Sequence, residues 1–147
     1  LFLFSISLCI CTSFESNKGK LPIPVTSAYI VVGEYGVQNV AGMKDVKQNN
    51  LGIDIQGEKG ATARAVFDGT VSSIFQQGKG QIGVLIRHGS YISVYCNLSD
   101  TRLKKGDKVK TGDIIGNIQV SENGMPVLHF QLHKESSRLN PSDWLRR

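Results

Sequence analysis

Two side chains in this sequence have the chemistry of metal ligands and stand in motif-like segments. Asp54 closes the segment Asn50-Leu51-Gly52-Ile53-Asp54, and His129 lies within Val127-Leu128-His129-Phe130-Gln131. A carboxylate and an imidazole are both good zinc ligands, but a catalytic zinc needs about three protein ligands and a water. The two residues alone are therefore one ligand short of a zinc site.

The spacing of apolar residues predicts which strand faces carry these side chains. Successive side chains alternate between the two faces of a strand, so apolar residues two positions apart share a core face. The core-facing sets predicted in this way are Leu51, Ile53 and Ile55; Ile92, Val94, Cys96 and Leu98; and Leu128, Phe130 and Leu132. The opposite faces are predicted to line a groove with Asn50, Asp54, Tyr95, Asn97, Val127, His129 and Gln131. For His88 and His133 we expect only a structural or solvent-exposed role.

The elements that must position these residues are short strands. The chain has 16 Gly and no long segment with helical periodicity, which indicates an all-β domain. The predicted strands are Ala28 to Val32, Leu51 to Ile55, Ala61 to Phe67, Thr70 to Phe75, Ile82 to Arg87, Tyr91 to Leu98, Ile114 to Val120 and Val127 to His133. Asp68-Gly69 and Gln77 to Gly80 are predicted hairpin turns, Gly33 to Asn50 a surface loop, and Asn140-Pro141 the start of one helical turn.

Length and charge restrict the class of protein. At 147 residues the chain is long enough for one domain with its own core. Lys and Arg number 17 against 12 Asp and Glu, a net charge of +5 that is spread along the chain apart from a modest cluster between Lys104 and Lys110. Because few aromatic residues accompany these cations, nucleic acid is a poor fit as a partner, and an anionic wall polymer fits the charge better.

The N-terminal residues differ in composition from the rest of the chain. Leu1 to Thr12 are almost wholly apolar and uncharged, like the central region of a secretory leader, although no initiator Met or basic segment precedes them. We therefore expect a truncated leader at residues 1–13, a linker at 14–20 and the domain proper at 21–147. The leader is too short to span a bilayer, so no membrane span is expected in the mature chain.

The cysteines add little constraint to the fold. Lipid attachment at Cys9 or Cys11 is an alternative to simple cleavage of the leader. Once the leader is removed, Cys96 has no partner for an internal disulfide and is expected to be a small buried residue.

Three segments together resemble the motifs of the lysostaphin/LytM-type zinc endopeptidases of peptidoglycan. The family motifs read H-x-G-x-D, Y-x-H-L-S and H-x-H-F, whereas this chain reads N-L-G-I-D from Asn50, Y-C-N-L-S from Tyr95 and V-L-H-F from Val127. The resemblance covers about Leu21 to Leu145. It implies a LytM-type β-sandwich with a barrel-sandwich hybrid architecture.

The same resemblance implies a degenerate site. By motif, Asn50, Asp54 and His129 stand at the three zinc-ligand positions, and Asn97 and Val127 replace the two histidines that act on the scissile carbonyl and the water. An amide oxygen is a weak zinc ligand, and a valine side chain cannot transfer a proton or stabilise an oxyanion. No catalytic residue is therefore expected at Asn97 or Val127, and no zinc unless the vestigial positions still bind it.

Degenerate members of this family include the EnvC- and NlpD-like murein hydrolase activators of Gram-negative envelopes, which bind and activate cell-wall amidases. The segments from Gly19 to Pro22 and from Asn140 to Leu145 look most like the EnvC-type C-terminal domain. The resemblance therefore implies an exported domain of the periplasm or cell envelope that is not itself an enzyme. Its groove would dock an N-acetylmuramoyl-L-alanine amidase in peptidoglycan remodelling and daughter-cell separation.

Two alternatives stay open. A residual zinc endopeptidase cleaving peptidoglycan cross-bridges would use Asp54, His129 and an unidentified third ligand. A peptidoglycan-binding module would rest on the fold and the weak positive charge alone. A lipoyl or biotinyl carrier is disfavoured because Met43-Lys44 lies in the predicted loop and not at the tip of an apolar hairpin.

Overall fold

The computed structural model describes residues 13–39 and 47–146 and has an all-β fold. Its strands are β1 (Tyr29–Gly33), β2 (Gly36–Asn39), β3 (Lys47–Asn50), β4 (Ile53–Gly57), β5 (Thr62–Arg64), β6 (Gly69–Gly78), β7 (Gln81–His88), β8 (Tyr91–Leu98), β9 (Lys108–Val109), β10 (Ile114–Asn117), β11 (Val127–Lys134) and β12 (Ser137–Leu139). The helical elements in the described ranges are two 3₁₀ turns, Glu15–Asn17 and Pro141–Asp143, and neither could cross a membrane. The predicted leader up to Thr12 and the Met43-Lys44 pair lie outside the described residues.

Most strands join one large antiparallel sheet. Its order is β1-β4-β11-β8-β7-β6-β9, with β12 paired to β11 beside that path. Two small sheets pair β5 with β10 and β2 with β3. Buried side chains of the large sheet and of the β5–β10 sheet form a single core cluster, as in a β-sandwich.

The core lies against one face of the large sheet, and β4 and β11 have the predicted alternation. Ile53, Ile55, Leu128, Phe130 and Leu132 are 0% exposed. Burying a side chain of this size stabilises the fold by about 1.5–3 kcal/mol. Leu51, also predicted in the core, precedes β4 and is only half-buried. The face opposite the core, here called the open face, carries the polar residues of β4 and β11.

Two of the predicted connections differ in the structure. The predicted loop from Gly33 to Asn50 contains β2 and β3, which pair as an antiparallel hairpin. Asp68-Gly69 does not join a hairpin, because β5 pairs with β10 while β6 pairs with β7 and β9. The turn after Gln77 is confirmed, since β6 ends at Gly78 and β7 begins at Gln81. The C-terminal turn is also confirmed: Asn140 Oδ1 accepts from the Ser142 N–H at 3.0 Å.

The segment predicted as a linker begins with a core residue. Phe14 is 5% exposed, and its ring stacks on His88 at 4.9 Å and on Tyr91 at 4.7 Å between centroids. The Gly19 N–H donates to the Trp144 carbonyl at 2.9 Å. Residues before Leu21 thus contribute apolar contacts to the fold.

Candidate functional site

Asn50 and Asp54 are brought together by a tight connection between β3 and β4. Asn50 ends β3 and Asp54 is the second residue of β4. Between them, the Gly52 N–H donates to Asn50 Oδ1 at 3.2 Å. A Cβ at Gly52 would lie 2.1 Å from the carbonyl oxygen of Phe130, so only glycine lets this connection pack against β11.

Strand pairing places His129 beside Asp54. In the antiparallel register, His129 is opposite Asp54 of β4 and opposite Cys96 of β8. Residues directly opposite each other in an antiparallel pair have their side chains on the same face. Asp54, His129 and Cys96 therefore form one row across the open face.

The polar side chains of this face form a hydrogen-bonded set, here called the site cluster: Asn50, Asp54, His129, Gln131 and His133. Asn50 Nδ2 donates to Asp54 Oδ2 at 3.0 Å, and His129 Nδ1 lies 2.8 Å from Asp54 Oδ1. Gln131 Nε2 lies 3.0 Å from His129 Nε2, and His133 Nε2 lies 2.9 Å from Gln131 Oε1. Four predicted groove residues are thus linked to one another, and His133 joins them.

The bonding partners determine the direction of each bond in the site cluster. The Asp54 carboxylate only accepts, so His129 donates from Nδ1, and with the Gln131 amide in this orientation its Nε2 accepts the amide N–H. Gln131 Oε1 then accepts from His133 Nε2–H. Burial, followed by the nearby charge of Arg138, lowers the pKa of His133 below its ordinary value of 6.5, which keeps this ring neutral at neutral pH.

A cavity of about 410 Å³ opens over the site cluster. Its lining residues are Val32, Gly33, Asn49, Asn50, Leu51, Asp54 and His129. The side chains of His129 and Asp54 are 20% and 31% exposed, so both are accessible from the cavity. The cavity combines hydrogen-bonding groups with apolar side chains from β1 and from the connection to β4.

The site cluster does not fit a three-ligand zinc site. Asn50 Oδ1 accepts from the Gly52 N–H, and Nδ2 faces the Asp54 carboxylate, so the donor end and not the acceptor end of the Asn50 amide is directed at Asp54. Reversing the amide would set its oxygen against a carboxylate oxygen and its NH₂ group against an N–H. Within residues 13–39 and 47–146, no three His, Cys, Asp or Glu side chains are grouped so that they could hold a metal ion.

Asn97 and Val127 lie beside the site cluster without bonding to it. The Asn97 N–H donates to Gln77 Oε1 at 2.7 Å, and Gln77 Nε2 lies 3.3 Å from Asn97 Oδ1. Val127 begins β11 on the same face as His129, opposite Gln56. Neither side chain is an acid or a base, so neither can take or give a proton.

Tyr95 does not line the groove, contrary to the prediction from alternation. It is 0% exposed and packs against Phe130, with 5.3 Å between the ring centroids. The cause is an irregularity at Asn97, which has a φ of 70°. Ile82 is opposite Leu98 and Val84 is opposite Tyr95, so two steps along β7 correspond to three along β8. Strand β8 therefore has one extra residue in this interval. Alternation counted back from Leu98 is therefore one residue out of phase.

Ile92, Val94 and Cys96, which were predicted to face the core, consequently lie on the open face. Cys96 is 6% exposed, which confirms its predicted burial, and burial raises the pKa of its thiol to about 11. The thiol therefore stays protonated at neutral pH and is a poor metal ligand. A non-glycine residue with positive φ, such as Asn97, has no clear signal in one sequence.

A second histidine network is buried within the fold. His88 Nδ1–H donates to the Asp68 carbonyl at 2.7 Å, and Nε2 lies 2.7 Å from Ser93 Oγ. The hydroxyls of Ser93 and Tyr95 are 3.0 Å apart, and the Val66 N–H donates to the Tyr95 hydroxyl at 3.0 Å. Burial lowers the pKa of His88 and raises that of Tyr95 to about 12, so both are uncharged at neutral pH.

Comparisons with known proteins agree with the fold and the motif positions. The sequence profile of Peptidase family M23 matches residues 48–141. An uncharacterized metalloprotease of Haemophilus influenzae is 36% identical over 95 residues, which are 61% of this chain and 20% of that protein. Murein hydrolase activator NlpD of Escherichia coli is 28% identical over 98 residues, which are 65% of this chain and 26% of NlpD.

A solved structure of Helicobacter pylori Csd3 superposes with a TM-score of 0.69 at 28% identity, over 86% of this chain and 35% of that chain. The chain spans only about a fifth to a third of the length of its curated relatives. The profile match covers more than half of the chain and contains every predicted zinc-ligand position. This chain therefore belongs to Peptidase family M23.

Proposed function

We propose that this chain is a non-catalytic LytM-type domain that binds and activates a cell-wall N-acetylmuramoyl-L-alanine amidase in peptidoglycan remodelling. The main support for the proposal is the orientation of Asn50. This residue stands at a zinc-ligand position of the family, but its amide N–H is directed at Asp54. Every polar atom in this part of the site cluster meets a partner of the opposite kind, which makes the cluster stable without a metal.

The docking surface in this proposal consists of Asn50, Asp54, Asn97, Val127, His129 and Gln131. The cavity over Asp54 and His129 provides hydrogen-bonding groups, and Val32, which is 50% exposed, adds apolar area at its edge. Centres of protein interfaces are poor in charge and combine apolar contacts with a few hydrogen bonds. The mixture of apolar side chains and neutral polar groups, with Asp54 as its carboxylate, suits a protein partner.

The name of one relative also supports an activator function. The Escherichia coli relative is described as a murein hydrolase activator. By analogy we propose that this chain is exported to the periplasm or cell envelope of a Gram-negative bacterium, with a leader at residues 1–13 and an activator domain at 21–147 onto which residues 14–20 pack. Its proposed partner is a septal amidase, with peptidoglycan as a second binding target.

Stimulation of an amidase by designed variants tests the proposal. Dye release from labelled sacculi is measured with a purified septal amidase, with and without the chain. Val127→Glu introduces a charge into the docking surface, and Ile114→Glu, at a site that is 55% exposed on the small β5–β10 sheet, is the matched control. We expect the wild type and Ile114→Glu to raise the rate and Val127→Glu to abolish the increase.

Urea unfolding of each variant shows whether a loss of stimulation reflects a loss of fold. Full stimulation by a folded Val127→Glu variant would exclude the docking surface. Binding to sacculi without stimulation by the wild type would instead favour a peptidoglycan-binding module.

A further inference from the structure

Six strands contribute one residue each to a row at the far end of the open face. Successive cross-strand partners across β9, β6, β7, β8, β11 and β12 are Lys108, Thr70, Arg87, Ile92, His133 and Arg138. Because direct partners share a face, these six side chains lie on the same side of the sheet as His129. We call Lys108, Arg87 and Arg138 the cationic row.

The cationic row is available for a partner. All three side chains are exposed, and no carboxylate of the described residues forms an ion pair with any of them. Arg87 Nη1 donates to the Gly89 carbonyl at 3.2 Å, which leaves most of its guanidinium N–H groups free to bind. The nearby Asp68 and Asp107 carboxylates accept backbone N–H groups, from Thr111 at 2.7 Å and from Lys104 at 2.8 Å.

Apolar side chains lie between Arg87 and the site cluster, whereas Arg138 is directly opposite His133 of the cluster. Leu85 of β7 is opposite Val94 of β8, and Val94 is opposite Gln131 of β11. Ile92 lies in the row itself, between Arg87 and His133. Leu85 and Ile92 are half-buried, so the middle of the open face offers apolar surface to a bound segment.

The other end of the open face presents an acceptor. Asp54 lies opposite His129, four residues along β11 from the position that the cationic row shares with His133. Four residues of strand span about 13 Å. The face is therefore positive at one end and apolar in the middle, and it carries a partly exposed carboxylate at the other end.

We propose that the open face binds a partner segment that carries acidic residues at one end, apolar residues in the middle and a basic or hydrogen-bond-donating residue at the other. The acidic end contacts the cationic row, where arginine binds carboxylates through two parallel N–H groups. The donor end contacts Asp54. This inference rests on the proposed function: the segment belongs to the amidase.

Fluorescence anisotropy with two synthetic peptides tests the surface directly. The first, dye-labelled, has two Glu, four apolar residues and a Lys; in the second, Lys replaces both Glu. The variants are Arg87→Glu with Arg138→Glu, and Lys20→Glu as the control for an exposed cation outside the sheet. We expect the wild type and Lys20→Glu to prefer the first peptide, and the double variant to bind it about ten-fold more weakly and to prefer the second.

Three results would overturn this inference. The wild type could bind both peptides equally, it could fail to bind the first, or the double variant could bind the first with unchanged affinity. The amidase assay separates it from the proposed function. If the double variant stimulates the amidase as the wild type does, only the role of the cationic row is excluded. Absence of stimulation by the wild type would exclude the activator function. The peptide preference would still show whether the open face selects the charge pattern.

Discussion

The molecule contains two histidine networks, and they differ in burial and in what they connect. The His88 network joins Asp68, Ser93, Tyr95 and Val66, and both His88 and Tyr95 are nearly or completely inaccessible. The site cluster joins side chains of β3, β4 and β11 under an open cavity, and His129 remains 20% exposed. A group left unbonded in a buried network costs stability, whereas an accessible network can exchange its bonds for those of a partner.

Tyr95→Phe should have the largest effect on stability, because it removes a buried hydroxyl and leaves the Val66 N–H without a partner. Leaving a buried donor unsatisfied costs about 1–3 kcal/mol of the free energy of unfolding. Urea denaturation measures the loss. Tyr29→Phe, on edge strand β1, is the matched control, and we expect it to change stability by less than about 0.5 kcal/mol. Equal effects of the two substitutions would contradict the structural role of the buried network.

The buried network should also make stability depend on pH. Burial lowers the pKa of His88 below 6.5, so the unfolded chain takes up a proton before the folded chain does as the pH falls. This contribution to stability is fully present above pH 6.5 and is lost as the pH falls through the folded-state pKa. We expect unfolding free energies measured from pH 7.5 to 5 to decline more steeply for the wild type than for His88→Gln.

His133→Gln is the control for this pH dependence. The pKa of His133 is lowered in the same direction, but this ring is more accessible, so the variant should keep most of the wild-type decline. Parallel curves for the wild type and His88→Gln would show that the buried imidazole is not the source.

His129→Ala should separate docking from stability. The hydrogen bond between His129 and Asp54 is partly exposed, and such a bond contributes about 1 kcal/mol net to stability. We expect a stability loss of that order together with loss of amidase stimulation in the dye-release assay. A loss as large as that of Tyr95→Phe would mean that the site cluster is a structural network like that of His88.

Asn50→His should have the smallest effect on stability without metal and should give the chain a third zinc ligand. Calorimetric titration should detect one zinc ion per chain in the variant, at an affinity that the wild type does not reach. Sacculus lysis should still be absent, because Asn97 and Val127 do not replace the catalytic histidines. Equal zinc affinity of the wild type and the variant would contradict the role assigned to Asn50.

The face that each strand residue occupies could be predicted from the sequence where alternation is uninterrupted. Along β11, Leu128, Phe130 and Leu132 face the core and His129 faces the cavity, as predicted. Along β8 the same rule failed for Tyr95, because the positive φ of Asn97 shifts the phase and depends on pairing with a distant strand. Strand register likewise comes from tertiary packing, so the pairing of His129 with Cys96 on neighbouring strands had no local signal.

The β2–β3 hairpin was missed for a different reason. Its strands, Gly36–Asn39 and Lys47–Asn50, are mostly polar and lack the alternating apolar residues that indicate a half-buried strand. Yet this hairpin ends at Asn50 and so positions the residue that determines whether zinc fits. Motif spacing therefore predicted the candidate site residues, but their hydrogen-bonding partners required the fold.

Dye release from labelled sacculi in the presence of added zinc, measured with the chain alone and with a septal amidase, distinguishes a non-catalytic activator from an enzyme. We expect no release by the chain alone and release in the mixture above the rate of the amidase. Release by the chain alone that disappears in Asp54→Ala would contradict this expectation and would identify an active zinc endopeptidase.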